Sequence, residues 1–554
     1  MKVSSDILRV YKALHTWVGI GTGLLLFIGF FAGALTMFKQ PLDRWSAPPA
    51  QQLAMVKSNE LDTLVSGVMQ QFPDARQQLV VHLESAEHIS APVEWQSQDE
   101  DGGHGPDLDG EHWHATLNAA GEVQAESIRP SMLGDLIDLL HQTAGIPGTV
   151  GHEYLGVQIL GLAGILYFLA LVSGLIILLP TLVKDFFLIR RGKNRKRFWL
   201  DAHNVIGITS LPFHLIIAFT VVVFAFHDSF YGSLKAVVYQ DTPMFGAPPA
   251  AGERPQARSV DQLLPPTELI RRIEQAAPDF KVTELVYMQV ESPRPIVRAG
   301  IYNPQYLVRG PLTGYVGINP YNGELTMTGM LPGKSNVWSD IVVTFFALHF
   351  GSFAGEWVRW VYFLLGLSGA FLFYSGNLLW IESRRKKQKR GQPLPQQARN
   401  TRLMAALTIG VSLGSVAGIG FAIAAGKWGH VAAVADINSL YLQVYYLVFL
   451  LALTFAFMRG GARAAVPLLW LCALASALIP VTSALAVLMP STGLWFYNSA
   501  ATLAVDFTAL LLALAFIFAA YRTQRGLQRA NADTVWYIEE TGHKAEPAGI
   551  GAGS

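Results

Sequence analysis

The stretch Trp199–His227 reads WLDAHNVIGITSLPFHLIIAFTVVVFAFH, an apolar run of membrane-spanning length that carries His203, His214 and His227. Ionisable groups are costly in a bilayer, so within a span they face a partner or a cofactor. His203 and His214 stand eleven residues apart. On one continuous helix that is about three turns plus 20°, so both rings leave from one face, about 16 Å apart along the axis. His227 points away from that face. Two imidazoles at different depths suggest a stack of cofactors across the membrane. The alternative is a pair of packed histidines bonded to neighbouring helices.

The rest of the chain fits a membrane setting. Of 554 residues, 51% are hydrophobic and 15% charged, against about 25% charged in soluble domains. A net charge of +1 gives no reason to expect nucleic acid as a partner. The single cysteine, Cys472, excludes intrachain disulfides and makes a thiolate-held iron–sulfur cluster an unsuitable expectation. No Walker A motif or dinucleotide fingerprint is present, which argues against an ATP-driven pump or a built-in NADH site. The first apolar run lacks a small-residue cleavage site and reads as a retained span.

Hydropathy predicts a predominantly α-helical polytopic protein with eight transmembrane helices, at about 16–38, 154–180, 204–226, 357–381, 403–425, 438–458, 464–489 and 499–521. Basic residues all fall on one side of that arrangement. They are Lys2, Arg9 and Lys12, the run from Lys184 to Arg197, the run from Arg384 to Arg390, then Arg459, Arg463, Arg522 and Arg525. The positive-inside rule therefore puts both termini in the cytoplasm of a bacterial inner membrane. The expected division is 1–38 for the N-terminus and first span, 39–150 for a periplasmic domain, and 151–227 for spans two and three. A second periplasmic domain follows at 228–340, then span four within 341–390. A linker at 391–400 leads to a four-span bundle at 401–525 and a tail at 526–554.

One unit occurs twice in the first half. Leu14-His15-Thr16-Trp17-Val18-Gly19 opens the first span, and Ala202-His203-Asn204-Val205-Ile206-Gly207 opens the third. Each glycine lies one turn from its histidine, where a missing side chain admits a flat ring. Each span leads to a polar segment that ends in Leu-His, at Leu140-His141 and Leu348-His349. The segments match internally: amphipathic helices at Leu61–Gln71 and Thr267–Ala276, strands at Gln78–Leu83 and Val282–Val290, then hairpins turning at Ala120-Gly121 and Asn322-Gly323. Two small α+β domains are expected, one between spans one and two and one between spans three and four.

Paired imidazoles near each membrane face suit b-type haem, whose iron takes axial histidines. The simplest pairing puts His15 with His203 on one haem and His141 with His349 on a second. His214 is either a substitute ligand at the outer site or a residue lying along the electron path. His152 is a further substitute for His141. The alternative for all of them is a bond to backbone carbonyls at the span ends. Zinc fits less well, because its ligands cluster tightly. The segment Asp99–His114 mixes carboxylates and imidazoles in a Gly-rich loop that suits iron or another cation, or is simply solvated. Arg254, Arg258, Arg271, Arg272, Arg294, Arg298 and Arg309 make the second external segment basic enough to attract an anionic chelate, or leave it a solvated surface. In the last four spans Asp506 is a polar packing contact, a proton-path residue or part of a quinone pocket, Cys472 reads as packing, and Trp495, Phe496 and Tyr497 resemble an interface belt.

The His-x-x-x-Gly span starts, the hairpin Val316-Gly317-Ile318-Asn319-Pro320-Tyr321-Asn322-Gly323-Glu324-Leu325 and the Leu-His endings resemble the PepSY-associated transmembrane family over about residues 8–386. The hairpin is similar to the Asp-Pro-x-x-Gly-Glu ending of PepSY domains, with Asn319 in place of the acid. Haem-binding members include inner-membrane ferric-siderophore reductases. The resemblance implies two b haems carrying electrons outward to a periplasmic ferric chelate, with quinol or a cytoplasmic donor supplying them. Four further spans depart from the family's basic pattern. A non-redox iron or siderophore permease component, or a regulatory, protease-inhibiting membrane protein, are the competing expectations.

Overall fold

The computed structural model describes residues 4–49, 52–97, 111–151, 153–182, 189–190, 195–240 and 258–538. Lys2, His152, Lys184, Arg191, Lys193, Arg254 and residues 99–110 of the carboxylate–histidine segment lie outside them. Among the described residues, eight helices are long and apolar enough to cross a membrane. They are Ser5–Thr36, Leu155–Leu178, Leu211–Tyr239, Glu356–Ser383, Arg399–Val431, Ile437–Arg459, Gly461–Leu488 and Ala500–Gln528. They overlap the eight expected spans, and the chain is a multi-pass membrane protein. The third runs to Tyr239, thirteen residues past its expected end at 226 (239 − 226) and into the stretch expected to be a periplasmic domain.

The third span departs from expectation. The helix entering it, Arg195–Thr209, stops one residue before a second helix begins at Leu211. Pro212 has no N–H to continue the ladder, and the Ser210 hydroxyl donates to the Ile206 carbonyl at 2.5 Å. His203 and His214 therefore sit on two helical pieces. The interruption does not part the rings: His203 meets the fourth span at Gly376 and His214 meets it at Gly369, two turns away on the same face.

Two connections leave the membrane on one side and build a shared domain. The first contributes β1 (Gln78–His82), β2 (Val93–Gln96), β3 (His112–Leu117) and β4 (Val123–Ile128). A two-stranded turn, β5 (Thr149–Val150) and β6 (Glu153–Tyr154), precedes the second span. The second connection contributes β7 (Lys281–Met288), β8 (Ile296–Tyr302), β9 (Gly314–Ile318) and β10 (Leu325–Met327). Each helix, strand and hairpin falls within a few residues of its expected place.

The joining of the two halves was not anticipated. β1 pairs antiparallel with β7 (Val80 opposite Val286), giving one eight-stranded sheet in the order β10-β9-β8-β7-β1-β2-β3-β4. The helices Leu61–Gln71 and Pro266–Ala276 cover one face of it and share one core. Leu79, Val81 and Leu285 are fully buried at the seam, each contributing about 1.5–3 kcal/mol. Asp62 ties the helices together, accepting from the Thr267 N–H at 3.0 Å and its hydroxyl at 2.6 Å. In the last hairpin the Asn319 side chain accepts from the Tyr321 N–H at 2.9 Å. An amide oxygen serves that turn as a carboxylate does, so the replacement of the usual acid leaves the hairpin intact.

The last four spans pack by a different device. Gly410, Gly414 and Gly418 recur every fourth residue on the fifth span, and a Cβ at any of them would press on Leu453 and Ala456, Ala452 and Phe449, or Tyr445 of the sixth. Small residues of this kind let helices approach closely where no hydrophobic force drives them together. A short elbow helix, Lys39–Ser46, links this bundle to the first half. Its Trp45 indole donates to Asp506 at 3.0 Å, and Ser46 bonds Ser131, which bonds Tyr441. Asp506 also accepts from the Ser483 hydroxyl at 3.0 Å, and the fully buried Cys472 donates its thiol to the Leu413 carbonyl as a packing group. Trp495 and Tyr497 are not a lipid belt. Trp495 is buried, and the Tyr497 hydroxyl donates to the Ala47 carbonyl at 2.7 Å, because the elbow helix covers that end of the bundle.

Candidate functional site

Four histidines from the two repeats meet as two pairs, one at each end of the first four spans. At the end remote from the sheet, His15 and His203 have ring centres 6.3 Å apart with planes at 83°. At the sheet end, His141 and His349 are 6.4 Å apart with planes at 37°. His141 closes the helix Leu133–Thr143, and His349 the helix Val337–Phe350. Both helices end in a left-handed residue, Ala144 and Gly351, which turns the chain back into the following span.

The acceptors beside these rings settle their tautomers. His15 Nδ1 is 2.8 Å from the Ala170 carbonyl, and His141 Nδ1 is 2.8 Å from the Gly29 carbonyl. A carbonyl only accepts, so Nδ1 carries the proton in both. His203 Nδ1 lies 3.0 Å from the Ser375 hydroxyl, and His349 Nδ1 lies 2.7 Å from that of Thr220. Those hydroxyls donate onward to the Leu372 and Ile216 carbonyls, so they accept from the rings. In the neutral imidazole each Nε2 then carries the lone pair, and none has a hydrogen-bond partner among the described residues. This is the form in which histidine binds a metal, with Nδ1–H held by the protein behind it.

Glycines of the neighbouring spans make the close approach of the imidazoles possible. A Cβ on Gly174 would lie 3.0 Å from the His15 ring, one on Gly33 2.6 Å from His141 Nδ1, and one on Gly376 3.4 Å from His203. Each is four residues past a carbonyl on the histidine side: Ala170, Gly29 and Leu372. Gly19, by contrast, faces open space, and Gly207 meets only Leu372 at 3.6 Å. The signal was available in the sequence. The second and fourth spans each carry a Ser-Gly pair, Ser173-Gly174 and Ser375-Gly376, at matched positions.

A cavity of about 390 Å³ opens between His141 and His349. Its floor is apolar, with Leu26, Phe30, Tyr167 and Phe213, and its rim is polar, with Lys39, Gln40, Asp138 and Arg359. Lys39 is ion-paired with Asp135 at 2.5 Å. Nearby, burial pushes the Asp43 carboxyl up to about 8, and Asp135 adds to this against the opposing pull of the Gly134 N–H and Lys39.

His214 belongs to neither pair. It is fully buried between the two ends, ringed by Phe30, Tyr167 and Phe213, and neither of its nitrogens has a partner among the described residues. His227 is half exposed and bonds its own helix at Phe224. Lys427 escaped the sequence reading. It is buried in the fifth span, donates to the Trp495 carbonyl at 3.0 Å and lies 3.9 Å over the Trp45 ring.

These features define a polytopic protein whose first four spans form a duplicated unit with a histidine pair at each end. The chain belongs to the PepSY-associated transmembrane family: the model of the PepSY-associated TM region matches residues 12–383. That stretch ends with the fourth span and takes in both pairs and the whole sheet, leaving the last four spans outside it. No curated protein matches the chain.

Proposed function

We propose that this protein is a haem b protein of the bacterial inner membrane that passes electrons across it to reduce a periplasmic ferric chelate, such as a ferric siderophore, in iron acquisition. The observation that carries this reading is the geometry of the histidine pairs. Two imidazoles bound on opposite sides of one metal, with bonds of about 2.0–2.1 Å, have ring centres about 6.3 Å apart. The pairs stand at 6.3 and 6.4 Å, with every Nδ1 anchored and every Nε2 free.

His15 and His203 would hold one haem, and His141 and His349 the other. Bound haem supplies one-electron chemistry at its iron. The chain's own part is to fix the imidazole tautomers, to enclose the sheet-end site in apolar walls and to set its polar rim toward the sheet. His214 and the aromatic residues around it fill the space between the pairs. Quinol or a cytoplasmic donor would supply the electrons. Ferrous iron binds hard oxygen donors less tightly than ferric iron, so reduction outside the membrane releases it from its chelator.

The test is a pyridine-haemochrome count on the purified protein and on His15→Ala, His141→Ala, His203→Ala and His349→Ala. About two haems per chain are expected, with each variant losing one. Retention of the full count in all four would overturn the assignment.

A further inference from the structure

The sheet face not covered by helices carries a row of alternating carboxylates and imidazoles. Across consecutive strands, Glu284 of β7 is opposite His82 of β1, Glu94 of β2 is opposite His114 of β3, and His114 is opposite Glu126 of β4. Two gaps in this row are too long for hydrogen bonds. His82 Nε2 is 3.7 Å from Glu94 Oε2, and His114 Nε2 is 4.0 Å from Glu126 Oε2. The Glu94 Oε1 atom is taken by the Ser90 hydroxyl at 2.9 Å, which leaves Oε2 toward His82. His114 is 1% exposed, and neither ring nitrogen has a hydrogen-bond partner among the described residues. A buried imidazole with both nitrogens unmet is costly unless something occupies the gap.

We propose that the His82–Glu94 and His114–Glu126 gaps are adjoining binding sites for a borderline divalent cation of the class of ferrous iron or zinc. A cation bonded at about 2.0–2.2 Å to an imidazole nitrogen and a carboxylate oxygen at the tetrahedral angle spans about 3.3–3.6 Å between them. Both gaps lie within a few tenths of an ångström above that span, so a small closure of either side chain fits each to a cation. Mixed nitrogen and oxygen donors favour such cations over magnesium. No three of these groups converge on one point among the described residues, so water completes each site and binding is reversible. The row also lies beside the cavity. His88, in the β1–β2 connection, bonds Gln40 at 2.9 Å, and Gln40 lines the cavity rim. The choice of ferrous iron as the natural occupant rests on the proposed reduction, which would free it at that rim. The cation sites themselves do not.

The experiment is equilibrium dialysis of the tag-free full chain against Zn²⁺, and anaerobically against Fe²⁺, with Mg²⁺ as comparison. Haem is counted on the same samples. Zn²⁺ and Fe²⁺ should bind and Mg²⁺ should not. Glu126→Gln, at a half-exposed position that tolerates change, and His82→Gln should each weaken binding at least about tenfold, with haem content and melting temperature unaltered. Equal binding of all three cations, or unchanged Zn²⁺ affinity in the double variant, overturns the proposal. Cation binding in a preparation without haem would leave this inference standing while refuting the redox reading. Two haems without cation binding would do the reverse.

Discussion

The two histidine pairs arise from one duplicated unit, yet they are built differently. At the end remote from the sheet, both rings rest on the same local pattern of the next span, a Ser-Gly pair four residues past a carbonyl. At the sheet end only His141 keeps the carbonyl-and-glycine seat, while His349 uses the Thr220 hydroxyl and lies against Phe224 at 4.7 Å. The remote pair thus shares one Ser-Gly motif, although His15 bonds its carbonyl and His203 its serine hydroxyl. The sheet-end pair is asymmetric, sits on short helices and borders the cavity. Duplication preserved the place of each imidazole more strictly than its support.

The sharpest way to break this comparison is to fill one glycine at each end. Gly33→Val should abolish haem at the sheet end alone, since the new Cβ would stand 2.6 Å from His141 Nδ1. Gly174→Val should remove it from the other end alone, and spectra resolved by redox titration would show which haem is lost. Loss of both haems from either variant would mean that the ends are not independent.

Removing the hydroxyl acceptors comes next. Ser375→Ala and Thr220→Val should each weaken haem retention at their own end by about tenfold to a hundredfold, the usual cost of losing a ligand's hydrogen-bond partner. Ser173→Ala should do almost nothing, because His15 already bonds the Ala170 carbonyl at 2.8 Å and Ser173 is 3.5 Å away. Haem transfer to apomyoglobin measures all three. Equal losses in Ser173→Ala and Ser375→Ala would show that the two seats work alike.

A smaller effect separates the ends by pH. Asp43, with a folded value of about 8, holds a proton that the unfolded carboxyl gives up near about pH 4. The folded chain binds more protons between those values, so stability falls as pH rises from about 4 to about 8. Hydrogen exchange in Leu133–Thr143 should therefore quicken across that window, and Asp43→Asn should remove the trend. Among the described residues no carboxyl at the remote end is raised in this way, so that end should show no matching fall. The least effect is expected from Tyr441→Phe, which removes one hydroxyl bond to Ser131 and should cost about 0.5–1.5 kcal/mol, read as a small drop in melting temperature.

Much of this was legible in the sequence, because hydropathy, basic clusters and turn chemistry are local. The eight spans, the Leu61–Gln71 helix and the Gly121 and Gly323 turns needed no tertiary knowledge. The four paired histidines were legible because the unit repeats. What escaped depends on contacts between distant segments. The β1–β7 seam has no signature beyond two ordinary strands, and Gly33 acts only through a ring 108 residues away (141 − 33). The same-face reading of His203 and His214 survives the break at Ser210, since both rings meet one face of the fourth span. Lys427 was missed because the groups that meet its ammonium, the Ser483 hydroxyl, the Trp495 carbonyl and the Trp45 ring, come from three other segments.

The central strand pair has an implication for descent. β1 and β7 are the equivalent strands of the two repeats, and they meet antiparallel, as like strands do across a two-fold axis. Half of the duplicated unit, cut after the second span, would carry one bare sheet edge and one member of each histidine pair. Two such halves, related by that axis, would mend both defects at once. The arrangement is that of a symmetric dimer whose subunits have become one polypeptide, and fusion then left each copy of the unit free to diverge.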